Sequence, residues 1–248
     1  MPEEFSPERW APRRRGLARD PFLAVVAVML GGEALAPVRT RLIKPGDVLA
    51  EPGEPLRYVY AVLSGRLGLL QRGPGAGSGR PRLREVLGAG QRAGEVHLLS
   101  DRRAPSDFRL QCLTSGLVAV IDADLYGSWC RRPEVVLPAL RELTEQARAR
   151  ERLRLSWLEL DVTARLAALL LDLHERFGDG LTEGLSQTQL GDLIGARRET
   201  VNRAGRKLLA EGLIHDGPRG IELRDVQGLA ARAGRSVGAE LQEERAVS

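Results

Sequence analysis

Two cysteines, three histidines and two lysines are all that the 248 residues hold of these types, and each shortage removes a class of protein. Cys112 and Cys130 are too few for a disulfide framework in a chain of this size. One chain cannot build a four-cysteine iron–sulfur cluster from them. Cys112 falls in an alternating strand pattern and reads as core. Cys130, beside Trp129, reads as a packed small residue, with a redox thiol or haem ligand as the alternative. His97, His174 and His215 are far apart in the sequence. A metal-dependent barrel enzyme needs two or three histidines and a carboxylate converging on one point, and no nucleophile–base constellation is visible. The expectation is a chain that is not an enzyme and holds no metal, with a cupin-type enzyme built around His97 as the alternative. Lys44 and Lys207 apart, every one of the 37 basic residues is arginine. That bias reflects GC-rich coding, so an arginine here is informative by its position rather than by its type.

Long apolar runs are missing too. Phe22–Leu30, preceded by Arg13–Arg15 and followed by Ala34-Leu-Ala36, imitates a signal peptide, but Asp20-Pro21 interrupts the approach and Glu33 follows. The run is far short of the roughly 20 residues that span a bilayer. A short helix capped by Asp20, with Pro21 in its first turn, is the more economical reading. The expectation is a cytoplasmic chain with no membrane partner.

What is present leans towards a polyanion. Net charge is +4 and the isoelectric point is near 9.6, a mild bias of the sign that favours nucleic acid. The stretch Leu185–Arg203 turns that bias into a motif. Ser186 is a good N-cap, Gln189 can complete a capping box, and Leu185 and Leu190 occupy the two positions of a hydrophobic staple. Leu190, Leu193 and Ile194 form one apolar face. Gly195-Ala196 makes a tight turn. A second helix then runs from about Arg198 to Ala210, with Val201, Gly205, Leu208 and Leu209 inward and Arg198, Glu199, Asn202, Arg203 and Arg206 outward. That is a helix-turn-helix, whose second helix meets base edges in the major groove. Arg can donate two hydrogen bonds to guanine and Glu can accept one from cytosine. Arg197, Arg206 and Lys207 suit phosphates, and Gln187 and Thr188 open the first helix as further DNA-contact candidates. Gly212–Leu223 reads as two short strands around Gly217-Pro-Arg-Gly220, a wing with Arg219 at its tip. Arg219 either touches the DNA backbone or is an ordinary exposed residue.

These residues carry a resemblance. Arg198-Glu-Thr-Val-Asn-Arg203 resembles the recognition-helix core of the cyclic-AMP receptor/FNR family of bacterial transcription regulators, and Leu160-Asp-Val-Thr-Ala-Arg-Leu166 resembles its hinge. Lys44-Pro-Gly-Asp-Val-Leu-Ala-Glu-Pro-Gly53, Tyr60-Ala-Val-Leu-Ser-Gly65 and Gly94-Glu-Val96 are similar to its effector-domain β-roll. The likeness covers about residues 22 to 230 in the family's order. It implies an α+β chain: an N-terminal β-roll (jelly roll) of the cyclic-nucleotide-binding type, a long dimerisation helix and a C-terminal winged helix-turn-helix. The implied division is an arm over 1–20, the roll over 21–132, the dimerisation helix over 133–160, the DNA-binding domain over 161–234 and a tail over 235–248. Short predicted strands fit the roll: Arg39–Ile43, Tyr58–Leu63, Arg66–Gln71, Leu83–Leu87, Phe108–Leu113 and Leu117–Asp122. Leu137, Leu140, Thr144, Ala147, Glu151, Arg154 and Leu158 step by three and four along the dimerisation helix. The resemblance implies double-stranded DNA, a second copy of the chain and RNA polymerase as partners, and half-sites similar to TGTGA.

The effector turn departs from the family pattern. In members that bind cyclic AMP, Gly-Glu is followed, eleven residues after the Gly, by an Arg that pairs with the cyclic phosphate and then a Ser. Gly94, Glu95 and Ser106 match, but the Arg position is Pro105, which has no charge and no N–H. The adenine-contacting Thr-Ser falls at Arg150-Glu151. A phosphate inside a roll needs a cation or a nest of N–H groups to offset its desolvation. Arg103 or Arg150 are the candidates to replace the missing cation. The candidate effector residues are therefore Gly94, Glu95, Val96, Arg103, Ser106, Arg150 and Glu151. No cofactor is required, a cyclic nucleotide is the candidate effector, and the pocket either takes another ligand or is filled by side chains so that DNA binding is constitutive. Glu95 then reads either as a ligand or as a carboxylate satisfying a turn. A milder departure is Arg197, which stands where relatives carry a Ser cap; the change forgoes about 1 kcal/mol of capping.

Overall fold

The computed structural model describes Leu17 and residues 20–72, 79–100, 106–178 and 180–234, the side chains of Val96 and Ser100 excepted. The predicted arm apart from Leu17 and Asp20, which are buried rather than loose, the predicted tail, residues 73–78, Arg103 and Pro105 lie outside the described residues. The chain divides into two compact units, 1–148 and 149–248.

The first unit is built on one six-stranded antiparallel sheet. Strands β1 (Arg39–Ile43), β3 (Tyr58–Gln71), β4 (Arg82–Leu87) and β6 (Phe108–Asp122) follow the order β1-β6-β3-β4. Two short strands, β2 (Val48–Ala50) and β5 (Arg92–Ala93), add to β6 and β3. The pairs of strands predicted over 58–71 and 108–122 are each one continuous strand. The reason lies at their midpoint. Register slips between Val62 and Leu67 of β3 while pairing with β6 resumes on both sides. Gly65 adopts a φ of +79°, and a Cβ placed there would lie 2.6 Å from the Ser115 carbonyl oxygen. A Cβ at Gly116 would lie 2.1 Å from the Ser64 oxygen. Both strands deform together at this one close approach, so the irregularity is a bulge rather than a loop.

Helices close the roll. Asp20 caps α1 (Pro21–Leu30), accepting from the Leu23 N–H at 2.9 Å, with Pro21 at the first helical position. Phe22 of α1 packs on Tyr126 and Trp129 of α3 (Ala123–Cys130), with ring centroids 4.9 and 6.2 Å away. Neither α3 nor the short α2 (Glu95–Ser100) is read from the sequence, although Asp122 caps α3 and was a legible start signal. In α4 (Pro133–Ser156) Val135 and Ala139 are buried, whereas Leu137, Leu140, Thr144 and Ala147 are exposed. One face therefore packs and the predicted seam is uncovered in the single chain. No helix among the described residues is long and apolar enough to cross a membrane.

The second unit gathers α5 (Val162–Phe177), α6 (Gln187–Ile194), α7 (Arg198–Ala210), the hairpin β7 (Ile214–Gly217) and β8 (Gly220–Leu223), and α8 (Val226–Arg232). Leu166, Leu170 and Leu173 of α5 share one core with Leu190, Ile194, Val201, Leu208, Ile214 and Leu229. Asp161 caps α5, accepting from the Ala164 N–H at 2.7 Å. It also binds Arg232 of α8 at 3.1 Å.

Two expectations follow. Gly116→Ala places a methyl against backbone that cannot yield, and should destabilise the chain by about 2–3 kcal/mol in a urea titration. Gly205→Ala, in an open helical position with nothing within 4 Å, should instead stabilise it by about 0.5–1 kcal/mol. Secondly, the Ala164 N–H and then Arg232 hold the Asp161 carboxyl below its usual value of 3.8. A carboxylate depressed on folding stabilises above its unfolded pKa, and that contribution is lost as pH falls through the folded value. Asp161→Asn should therefore flatten the loss of stability below about pH 4, read by melting temperature against pH. An unchanged acid limb would contradict the assignment.

Candidate nucleic-acid interface and effector turn

The helix-turn-helix is assembled as its residues dictate. Ser186 accepts from the Gln189 N–H at 3.2 Å, and Gln189 Oε1 accepts from the Ser186 N–H at 2.8 Å, a complete capping box. Gly195 closes α6 in the left-handed region, with φ +70°. Gly191 is the residue that sequence reasoning missed. A Cβ there would lie 2.5 Å from the Ala196 oxygen and 3.4 Å from Val201, so a bare backbone lets α6 approach the turn and α7. Its signal was a glycine inside a helix, which usually marks close packing.

On α7 the buried residues are Val201, Ala204 and Leu208. Leu209, expected inward, is 40% exposed, because the helical step from Val201 runs through Ala204 and Leu208 and carries Leu209 past the inner face. Gly205 is only half-buried. Arg197, Arg198, Glu199, Asn202, Arg203, Arg206 and Lys207 are all exposed, as are Gln187 and Arg219; Thr188 is half-buried. Residues 161–234 hold 10 basic and 11 acidic side chains, yet 197–207 hold five of those cations against Glu199 alone. Among the described residues none of the five forms a salt bridge. Arg197, at the N-cap, makes no side-chain cap hydrogen bond. The positive face is thus a matter of placement within a nearly neutral unit.

The wing is held by Thr182, whose buried hydroxyl accepts from the Ile221 N–H at 2.8 Å. His215 and Glu222 face each other across the hairpin with Nε2 and Oε2 2.9 Å apart. Arg219 leaves the tip alongside Gly180.

In the first unit, Gly94 adopts φ +102°, and a Cβ there would meet Leu56 at 2.6 Å and the Tyr58 oxygen at 3.0 Å. Glu95 opens α2 and is buried. The buried Ser106 hydroxyl donates to the Phe108 oxygen at 2.9 Å. Its backbone pairs with Gly53 and Glu54. One loop, 51–57, therefore packs against Ser106 through Gly53 and Glu54 and against Gly94 through Leu56. The side chain of Val96, Arg103 and Pro105 lie outside the described residues. Arg150 is half-buried and Glu151 exposed, and both fall in the second unit. His97 is half-buried and sits edge-on to Phe108 at 6.4 Å. Burial pushes the Cys112 thiol up to about 11 and also raises Cys130, the opposite of what a reactive thiolate needs. Among the described residues no group of three or more His, Cys, Asp or Glu is placed to hold a metal ion.

An exposed basic helix on a winged scaffold, following an antiparallel roll in the chain, is the plan of a DNA-binding regulator. The Crp-like helix-turn-helix domain model matches residues 164–232, and the cyclic nucleotide-binding domain model matches residues 40–132. Over 228 residues the chain is 30% identical to the CRP-like cAMP-activated global transcriptional regulator of Mycobacterium tuberculosis, covering 86% of this chain and 99% of that protein. It is 31% identical over 199 residues to the cyclic AMP receptor protein of Thermus thermophilus, covering 77% and 87%. The fold is similar to that of FixK2 from Bradyrhizobium japonicum, with a TM-score of 0.66 at 21% identity over 82% of this chain and 99% of that one. The chain belongs to the CRP/FNR family of transcriptional regulators.

Truncations on α7 test whether base and phosphate contacts are divided among its side chains. Arg203→Ala should cost about 1–3 kcal/mol of discrimination between a cognate and a scrambled duplex. Lys207→Ala should weaken both duplexes alike and reduce the slope of log K against log salt by about one. Equal losses of discrimination in both variants would reject the division of roles.

Proposed function

We propose that the chain acts as a homodimer that reads a palindromic DNA site through α7 and senses a small effector at the Gly94–Glu95 turn. The observation that carries this is the row of five exposed cations over 197–207, at the N-cap and along α7, set over a core that fixes the helix. Arg198, Glu199 and Arg203, with Asn202, choose bases; Arg197, Arg206, Lys207 and Arg219 meet phosphates, and Gln187 and Thr188 approach from α6. Two copies of α7 one DNA turn apart, ~34 Å, suit half-sites similar to TGTGA. The uncovered α4 face, from Leu137 to Ala147, is the dimer seam, and residues 161–234 are the DNA-binding domain. The work is done in the cytoplasm, without enzymatic activity and with RNA polymerase as the onward partner.

Cyclic nucleotides are the effector class to test first, since the similar M. tuberculosis protein is described as cAMP-activated. The described residues fit part of such a ligand. Buried Glu95 suits a ribose hydroxyl, while the side of Gly94 where a Cβ would stand is filled by Leu56 and the Tyr58 oxygen. Pro105 offers no charge to a phosphate, and the Ser106 hydroxyl is already engaged with Phe108. Within the roll, Arg103 is the candidate for the phosphate.

Fluorescence anisotropy on a TGTGA-N6-TCACA duplex and a scrambled one, with and without cyclic AMP at fixed salt, tests this. We expect preference for the palindrome, strengthened by cyclic AMP only if Arg103 supplies the missing cation. Preference that ignores cyclic AMP would reject that nucleotide as effector. No preference in either condition would reject the base assignments.

A further inference from the structure

The roll contains a buried arginine whose contacts join three elements distant in sequence. Arg92 lies in β5, two residues before Gly94 and three before Glu95. Its Nη1 donates to both carboxylate oxygens of Asp20, at 3.1 and 3.0 Å. Its Nη2 donates to Glu142 of α4 at 2.7 Å. The guanidinium lies over the Phe22 ring, 5.1 Å from its centroid. Burial alone would disfavour the Arg92 charge, but Asp20 and Glu142 outweigh it and hold the group protonated; Glu95 adds to the same field.

The two carboxylates are not equivalent. The side chains of Arg92 and Asp20 are 1% and 0% exposed, whereas that of Glu142 is 21% exposed. A fully buried charge stripped of its partner is strongly unfavourable, while a carboxylate at the rim regains water when it lets go. Asp20 is further fixed as the cap of α1. The Arg92–Asp20 pair is the permanent half of the cluster and the Arg92–Glu142 pair the releasable half. On α4 the buried anchors Val135 and Ala139 lie in the first two turns. Glu142 continues that face, and Gln146 one turn later donates to its other oxygen at 3.0 Å.

We propose that the Arg92–Glu142 ion pair is a latch that fastens α4 to the roll without any ligand, and that its closing or opening sets the affinity for DNA. Arg92 is a positioning residue in this scheme: it acts through α4. The latch stands beside the Gly94–Glu95 turn, so a charged group arriving at Glu95 alters the field at Arg92 directly. The DNA half of the proposal rests on the reading of the chain as a dimeric regulator with α4 as its seam.

The test uses the full chain, Glu142→Leu and Glu142→Gln, the latter keeping an acceptor oxygen without the charge. Hydrogen exchange is followed at the amides of residues 139–148, with β3 and β6 as reference, and affinity by anisotropy on the palindromic duplex. In Glu142→Leu, exchange over 139–148 should rise about tenfold while β3 and β6 stay unchanged. The Kd for the palindrome should shift by at least about fivefold, with Glu142→Gln intermediate in both readouts. Unchanged exchange over 139–148 in both variants would overturn the latch. Raised exchange with an unaltered Kd would overturn its link to DNA. If the unsubstituted chain does not prefer the palindrome, the regulator reading and the DNA half of the proposal fall together, and the exchange data alone decide whether the pair fastens α4.

Discussion

In both units an aspartate that caps a helix also binds an arginine from a distant part of the chain. Asp20 opens α1 and holds Arg92; Asp161 opens α5 and holds Arg232. A local signal and a long-range contact therefore share one side chain, and the start of each helix is tied to the closure of its unit. The environments differ, and with them the energetics. Asp20 and Arg92 are sealed from water, so the pair is rigid and intolerant of losing one member. The Asp161 side chain is 61% exposed, so its pairing with Arg232 is screened and weak, and its main contribution is the cap itself.

The same contrast runs through the charges of the whole chain. Net charge says little about the DNA-binding unit, where carboxylates slightly outnumber cations. What matters is that acidic residues are spent on caps and pairs, at Asp161, Asp172, Glu211, Glu222 and Asp225, while the arginines of α7 are left to solvent. A surface so divided holds a strong local field on a weakly charged body, which steers a polyanion to one face.

Legibility followed the range of the interactions. The bounds of α7, the Ser186 capping box, the wing and the Asp20 cap were readable because each is set by residues within a few positions of one another. The continuity of β3 and β6 was not, because it depends on Gly65 and Gly116 meeting across 51 positions of sequence. The strands β2 and β5 are too short to carry a period. Leu209 misled because an apolar residue next to Leu208 fits the helical stripe by type although it misses it by angle. Arg92 was invisible for the opposite reason: in an arginine-rich chain its type carried no information, and only the positions of Asp20 and Glu142 give it meaning. At the Gly94–Glu95 turn, both residues were singled out by resemblance, whereas the loop 51–57 that connects them to Ser106 emerges only from the fold.

The central claim is that the exposed face of α7, presented twice, reads a two-fold symmetric DNA sequence. Selection of duplexes from a random pool by the full chain, without assuming any site, tests it most directly. The account predicts enrichment of a palindrome whose half-site centres lie about one helical turn apart, roughly 10 base pairs. A pool that stays random, or that converges on a site without two-fold symmetry, would contradict it.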